Sequence, residues 1–273
     1  MRGAFGVVLC LASAVTLGFL AFPIVAIFLQ ISPRELVAHL DDPAALDALA
    51  VTAKTSAVAN VLILLFGTPT AYLIATRSFR RRALLVTLVE LPLVLPPAVA
   101  GIGLLAAFGR LGLLGSTIGA FGIEVGFTQA AVVLAVTFVA SPFYLRAAVA
   151  AFEGIDPSLP AAARTLGAGP ARTFFRIALP LAAGGLAAGW ALAFARGLGE
   201  FGATILFAGS LQGVTQTLSL AIYEQFDVGF DLALALAAEL VVASAAVLLL
   251  VKFLPWTRSP STSLIPFAPS RSR

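Results

Sequence analysis

Long apolar runs separated by short charged clusters dominate the chain. Six stand out, near residues 4–30, 50–76, 83–107, 128–150, 181–207 and 232–254. Each is long enough for the ~20-residue helix that crosses ~30 Å of hydrocarbon. The pattern predicts an all-α integral membrane protein with about six transmembrane helices. The apolar part of the first run extends from Ala4 to Leu29, well past the usual core of a cleaved signal peptide. Arg2 precedes it and no clear cleavage site follows, so it reads as a retained helix. The fifth run is less even, because it carries Arg196 and Glu200.

The segments between the runs divide the chain. Residues 1–49 hold the first membrane helix and an outer loop. Residues 50–254 form a helical core with a long cytoplasmic connection at 151–180, and residues 255–273 form a tail. In the outer loop, Pro33 and Pro43 bracket Glu35-Leu36-Val37-Ala38-His39-Leu40, a pattern that suits a short amphipathic helix. The tail is rich in Pro, Ser and Arg and reads as disordered.

Composition sharpens this picture. The chain has 273 residues, 60% apolar and 11% charged, against about 25% charged in a soluble domain. Too few charges remain to cover a surface in water. The net charge of +4 does not point to nucleic acid, because no long Lys/Arg run suits a phosphate backbone. The charges lie between the apolar runs, where they set topology. With the N-terminus in the cytoplasm, Arg2, Arg77, Arg80, Arg81, Arg82, Arg146, Arg164, Arg172, Arg176, Lys252, Arg258, Arg271 and Arg273 all face inside. Only Arg34 and Arg110 face outside, with Lys54 near a boundary and Arg196 within the membrane. Both termini are therefore expected in the cytoplasm. The single Cys10 allows no internal disulfide and no multi-cysteine metal site. His39 beside Asp41 and Asp42 reads as a solvated loop histidine rather than a metal ligand.

Residues 157–180 suggest two short helices with a break between them. Pro160 opens the first and an Ala-rich run carries it. Gly167 and Gly169 permit the turn that ends it, and Pro170 starts the second. Arg172 and Arg176 share a face, with Phe175 nearby. Pro180 marks the start of the fifth membrane helix. Two readings stand on physics alone. One is an interfacial loop whose arginines touch lipid head groups. The other is a lever that docks into a partner protein.

The spacing here resembles a family. Permeases of ABC importers carry E-A-A, three residues, G, nine residues, I-x-L-P; this chain has Ala161-Ala162-Ala163, Gly167 and Ile177-Ala178-Leu179-Pro180. Ala161 stands where the family commonly has Glu. The resemblance implies a type I importer membrane-domain fold in the bacterial cytoplasmic membrane. It also implies that Ala161, Ala162, Ala163, Arg164, Gly167, Gly169, Arg172, Phe175, Ile177 and Pro180 form the loop that couples to an ATPase. Residues 90–115 and 196–223, notably Gly199-Glu200-Phe201-Gly202-Ala203-Thr204, are similar to molybdate/tungstate permeases, with sulfate/thiosulfate permeases as close relatives.

The same resemblance implies the partners: two copies of an ATP-binding subunit, an extracytoplasmic oxyanion-binding protein, a second copy of the chain, and the lipid bilayer. The chain itself has no phosphate-binding loop of the Gly-x4-Gly-Lys-Ser/Thr kind, since Lys54 and Lys252 lack that context. ATP and Mg are expected on the partner, with no cofactor or metal on this chain. An intramembrane enzyme is disfavoured, because no His or Asp pair lies within the apolar runs. A passive channel and a proton-driven secondary transporter using Glu200 or Glu239 are the remaining rivals.

Two groups are candidates for the translocation path or gate. Pro92, Pro96 and Pro97 should bend or break the third membrane helix, and Gly101 and Gly103 then allow close helix contact or an unwound turn. Such a break either shapes packing or lies beside a central path, where irregular backbone is tolerated. Arg196 and Glu200, four apart on the fifth helix, share a face; they either lock helices together or sit near a gate, with Phe201 helping to close it. Glu90 is expected where the third helix bends and Glu239 on the sixth helix, both structurally paired.

Overall fold

In the computed structural model, residues 4–39, 41–77 and 80–253 are described, and all the regular elements among them are helices. The tail expected at 255–273 lies outside the described residues. Helix α1 (Ala4–Gln30) is almost wholly exposed and packs chiefly on the last helix, as a lipid-facing rod does. Helix α2 (Pro33–His39) is the short outer helix. A reciprocal capping box fixes its start: Ser32 Oγ accepts from the Glu35 N–H at 3.2 Å, and Glu35 Oε2 accepts from the Ser32 N–H at 3.0 Å. The Ser32 hydroxyl and its backbone N–H together hold the Glu35 carboxyl below its usual range.

Helix α3 (Pro43–Thr76) starts seven residues before its apolar run. Asp42 caps it by accepting from the Ala44 N–H at 2.8 Å, and Pro43 fills the first position, where no N–H is needed. At 34 residues it is ~50 Å long, so it crosses the bilayer and projects beyond it. One face is buried along its length, through Thr52, Ser56, Ala59, Ile63, Gly67, Ala71 and Ile74.

The third crossing is broken. Helix α4 (Arg82–Val94) and helix α5 (Pro97–Phe108) meet at Leu95–Pro96 with a bend of 114°. Pro96 and Pro97 cause it, as expected, by removing amide donors. Pro92 does not; it lies inside α4. Among the described residues five helices are long and apolar enough to cross, six spans if the bent pair counts as one. A short α6 (Gly115–Gly119) follows, then α7 (Gln129–Glu153), the centre of the bundle. Helix α3 packs on α7 where Tyr144 lies over Gly67 and its hydroxyl meets Thr68 Oγ1 at 2.6 Å.

Helices α8 (Ser158–Thr165) and α9 (Pro170–Thr173) lead through a π turn at Phe174–Ala178 into α10 (Leu179–Leu198). Small residues let α10 approach α7 closely: a Cβ at Gly185, Gly189 or Gly197 would come within 2.5, 2.7 and 2.9 Å of Ala151, Ala147 and Val136. The expected fifth span, 181–207, ends early. It stops at Leu198 and restarts as α11 (Gly202–Ala208). Helix α12 (Leu218–Gln225) and the last span, α13 (Phe230–Phe253), complete the chain.

The two ends of the bundle differ in charge. Thr76, Arg77, Glu153, Arg164 and Thr173 line one end together. At the other end Gln212 Nε2 donates to Asp47 Oδ2 at 3.2 Å, and the Leu218 N–H donates to Thr52 Oγ1 at 2.8 Å. The arginine-rich end is the cytoplasmic one by the distribution of Lys and Arg.

Candidate functional site

At the cytoplasmic end, the chain leaves α7 at Glu153 and turns into α8. Asp156 starts that helix: its Oδ1 accepts from the Ser158 N–H at 2.9 Å. The backbone N–H and hydroxyl of Ser158 together hold the Asp156 carboxyl below the usual carboxylate range. Helix α8 thus begins at Ser158, with Pro160 in its first turn rather than at its opening. Ala163 is buried, whereas Ala161, Ala162 and Arg164 are exposed. Gly167 takes φ +83° in the turn, a conformation that favours glycine, and Gly169 precedes α9.

The second short helix is not separate. Helix α9, carrying Arg172, runs through the π turn with Phe175 and Ile177 and on into α10. Pro180, in the first turn of α10, accounts for the π turn. It has no N–H for the Arg176 carbonyl, and its ring presses on that turn, so the backbone widens. The Leu179 N–H reaches the Phe174 carbonyl instead.

What joins this segment to the bundle is aromatic. The Phe174 ring lies 4.8 Å from Tyr72 on α3 and 6.3 Å from Phe152 on α7, and Tyr72 lies 5.3 Å from Phe152. The edge-to-face pairs among these rings are favourable beyond their burial. Phe175, its neighbour, points outward and is 64% exposed, as is Leu166 at 88%. The segment therefore has a bundle face and an exposed apolar and basic face. Sequence reading singled out Phe175 but missed Phe174, Tyr72 and Phe152; their convergence depends on three distant segments.

The second region lies where two helix breaks meet. A Cβ at Gly202 would sit 2.7 Å from Pro97 Cβ, and one at Gly101 would sit 2.8 Å from the Ala203 carbonyl oxygen. The break before α5 thus packs against the break before α11. Gly103 faces open space and makes no such contact. Pro96 and Pro97 are exposed. Arg196 and Glu200 do pair, at 2.8 Å, but not along a helix face, because Glu200 lies beyond the end of α10. Glu200 Oε1 also accepts from the Ala203 N–H at 2.8 Å and so caps α11. The Phe201 ring lies 4.9 Å from Tyr223.

Glu90 is not at the bend. It lies inside α4 and pairs with Arg146 of α7 at 3.3 Å. Arg82, at the start of α4, pairs with Glu153 and also donates from Nε to the Ile74 carbonyl at 3.0 Å. Two ion pairs therefore tie α4 to α7. Glu239 departs from expectation, since its buried Oε1 has no partner among the described residues.

A helical bundle with a broken third crossing and a glycine-hinged cytoplasmic segment defines a membrane transport subunit, and the chain belongs to the family of inner-membrane components of binding-protein-dependent transport systems, which matches residues 63–255. It is 46% identical over 231 residues to the molybdenum transport system permease protein of Mycobacterium tuberculosis, covering 85% of this chain and 88% of that one. It is 38% identical over 257 residues to a probable molybdenum ABC transporter permease protein of Haloferax volcanii, covering 92% and 91%. Identity to the molybdenum transport system permease protein of Escherichia coli is 45% over 177 residues, covering 64% and 77%.

Among solved structures, a bacterial alginate ABC transporter in complex with a pentasaccharide-bound periplasmic protein matches with a TM-score of 0.69 at 20% identity, covering 90% and 92%. An inward-facing methionine ABC transporter matches with a TM-score of 0.55 at 19% identity, covering 76% and 90%. The expected fold, the membrane domain of an ABC importer, is thereby borne out, and the chain is a multi-pass membrane protein.

Proposed function

We propose that this chain is the transmembrane subunit of an ATP-driven molybdate importer in a bacterial cytoplasmic membrane. The observation that carries the reading is the identity to molybdenum permeases over most of the chain; the exposed apolar and basic face of the glycine-hinged segment supports it. Two ATP-binding subunits hold ATP and Mg beneath two copies of the chain. An extracytoplasmic binding protein delivers the oxyanion. Selection between molybdate and tungstate, tetrahedral dianions of nearly equal size, falls to that protein.

Residues 161–180 act as the lever. Ala161, Ala162, Arg172 and Phe175 face the ATP-binding subunit; Arg164 lies on the side of the segment that lines the cavity against the bundle; Gly167 and Gly169 set the turn; Ile177 and Pro180 pass the motion into α10. ATP binding favours one arrangement of the bundle by its differential affinity for the two states. Pro96, Pro97, Arg196, Glu200 and Phe201 lie beside the path, where paired helix breaks are the usual form of a transport site.

The test is reconstitution of the chain with its ATP-binding subunit and binding protein in proteoliposomes. Molybdate should stimulate ATP turnover and accumulate inside, and sulfate should not. Sulfate stimulation without molybdate stimulation would assign the chain to the sulfate class. Uptake that survives loss of ATP hydrolysis would refute the ATP-driven reading. An Arg196→Ala variant that assembles and transports at full rate would end the path role of that residue.

A further inference from the structure

A cavity of about 750 Å³ separates the cytoplasmic segment from the bundle. Its walls come from the last turn of α3, the end of α7, α8 and the start of the α9–α10 rod. Its volume lies within the range of small-molecule sites, ~300–1,000 Å³. Tyr72, Phe152 and Ile155 give it an apolar floor, and Arg77 and Arg164 stand at its rim.

The charge balance is one-sided. The acidic group in the lining is Glu153, and Arg82 already neutralises it. Asp156, nearby in sequence, spends its carboxylate on Ser158. Among the described residues, neither Arg77 nor Arg164 has a carboxylate within salt-bridge distance. The residues at 1–3, 40, 78–79 and 254–273 contain no Asp or Glu. Arg77 and Arg164 therefore line one cavity with no carboxylate partner among the described residues, and Arg164 Nε makes its one hydrogen bond to the Pro160 carbonyl of its own helix at 3.3 Å.

Position decides what supplies the counter-charge. Arg77 caps α3, its N–H bonded to the Leu73 carbonyl, directly after the apolar run of that helix and at its arginine-rich end, where basic side chains favour the head groups of the inner leaflet. Leu166, Arg172 and Phe175 are exposed and are not part of the lining. Basic pockets between helices on the cytoplasmic side are the form in which anionic lipid head groups are bound. We propose that this cavity binds the phosphate of an anionic phospholipid, with Arg77 and Arg164 as its cationic partners and the Tyr72–Phe152 floor beneath the glycerol. The lipid then stands between the lever and the bundle, bridging α3 to α8. This assignment does not rest on the transported substrate.

Native mass spectrometry of the full-length chain in mild detergent tests it, with phosphatidylglycerol or phosphatidylcholine added. One phosphatidylglycerol per chain should be retained and phosphatidylcholine should not. Arg77→Gln and Arg164→Gln should each weaken retention about fivefold, the worth of one basic side chain at a lipid surface. Arg77→Lys should keep it, and Arg110→Gln, at the opposite end, should leave it unchanged. Thermal unfolding of each variant separates lost binding from lost fold. Equal retention of both lipids overturns the proposal, as does unchanged retention in a folded Arg77→Gln, Arg164→Gln double variant. Displacement of the lipid by an equal concentration of inorganic phosphate overturns the lipid as the source of the phosphate.

Discussion

Arg196 and Glu200 meet around the end of a helix: Nη2 lies 2.8 Å from Oε2, while α10 has already stopped at Leu198. Glu200 is 1% exposed and Arg196 29%. One carboxylate thus closes the end of α10 with one oxygen and opens α11 with the other. Glu200→Ala removes both bonds and leaves a guanidinium unpaired, a loss on the order of 3 kcal/mol. Glu200→Gln keeps an acceptor for the Ala203 N–H and should lose less. Thermal unfolding of the purified chain ranks the two; equal losses would show that the cap contributes nothing.

Gly101 and Gly103 should respond oppositely to the same methyl group. In Gly101→Ala the new Cβ meets the backbone of Ala203 at 2.8 and 2.9 Å, which must shift, costing roughly 1–3 kcal/mol. In Gly103→Ala it meets nothing within 4 Å, and helix propensity favours alanine by about 1 kcal/mol. Unfolding midpoints should fall for the first and hold or rise for the second.

Phe174 and Phe175 separate the two faces of the lever. Phe174→Ala breaks the aromatic contact with Tyr72 and Phe152, so transport per ATP hydrolysed should fall while the ATP-binding subunit still copurifies. Phe175→Ala removes an exposed ring and should weaken copurification with little change in stability. Parallel measurements of copurification, ATP turnover and uptake distinguish them; identical profiles would refute the division.

Asp156 gives a pH dependence confined to α8. Its folded pKa lies below the unfolded value, so its contribution is present above the ordinary carboxylate range. It is lost as pH falls through the lowered folded value. Amide exchange over 158–165, corrected for intrinsic rates, should stay flat from pH 7 to about 4 and rise only below. Asp156→Ala should raise exchange at Ser158 throughout. A rise already between pH 6 and 5 would point to a different group.

The sequence disclosed the spans better than their interruptions. Ala4–Gln30 matches its apolar run residue for residue, and Gln129–Glu153 and Phe230–Phe253 begin and end within a few positions of theirs. Apolar content marks what lipid will accept, so it finds such helices. It does not register where the hydrogen-bond ladder stops. The break at Gly199–Phe201 lies within a run apolar enough to read as continuous, and only the capping bond from Glu200 reveals it. Pro96 and Pro97 announced a bend but not its 114° size. The glycine-hinged segment was legible because its spacing is local. The contact of Tyr72 with Phe174 behind it, and the pairs Arg82–Glu153 and Glu90–Arg146, join residues more than fifty positions apart and leave no local pattern.

The split third crossing divides allegiance. Its inner half is strapped to α7 by charge, and its outer half is seated on α11 by contact between small residues. A continuous rod would carry any displacement at one membrane face directly to the other. Here the joint at Leu95–Pro96 interrupts the rod, so α4 and α5 are held to the bundle by different sets of contacts. On the transport reading proposed above, such a joint would let the two sides of the barrier change shape in turn instead of together, which keeps a pump from becoming a leak.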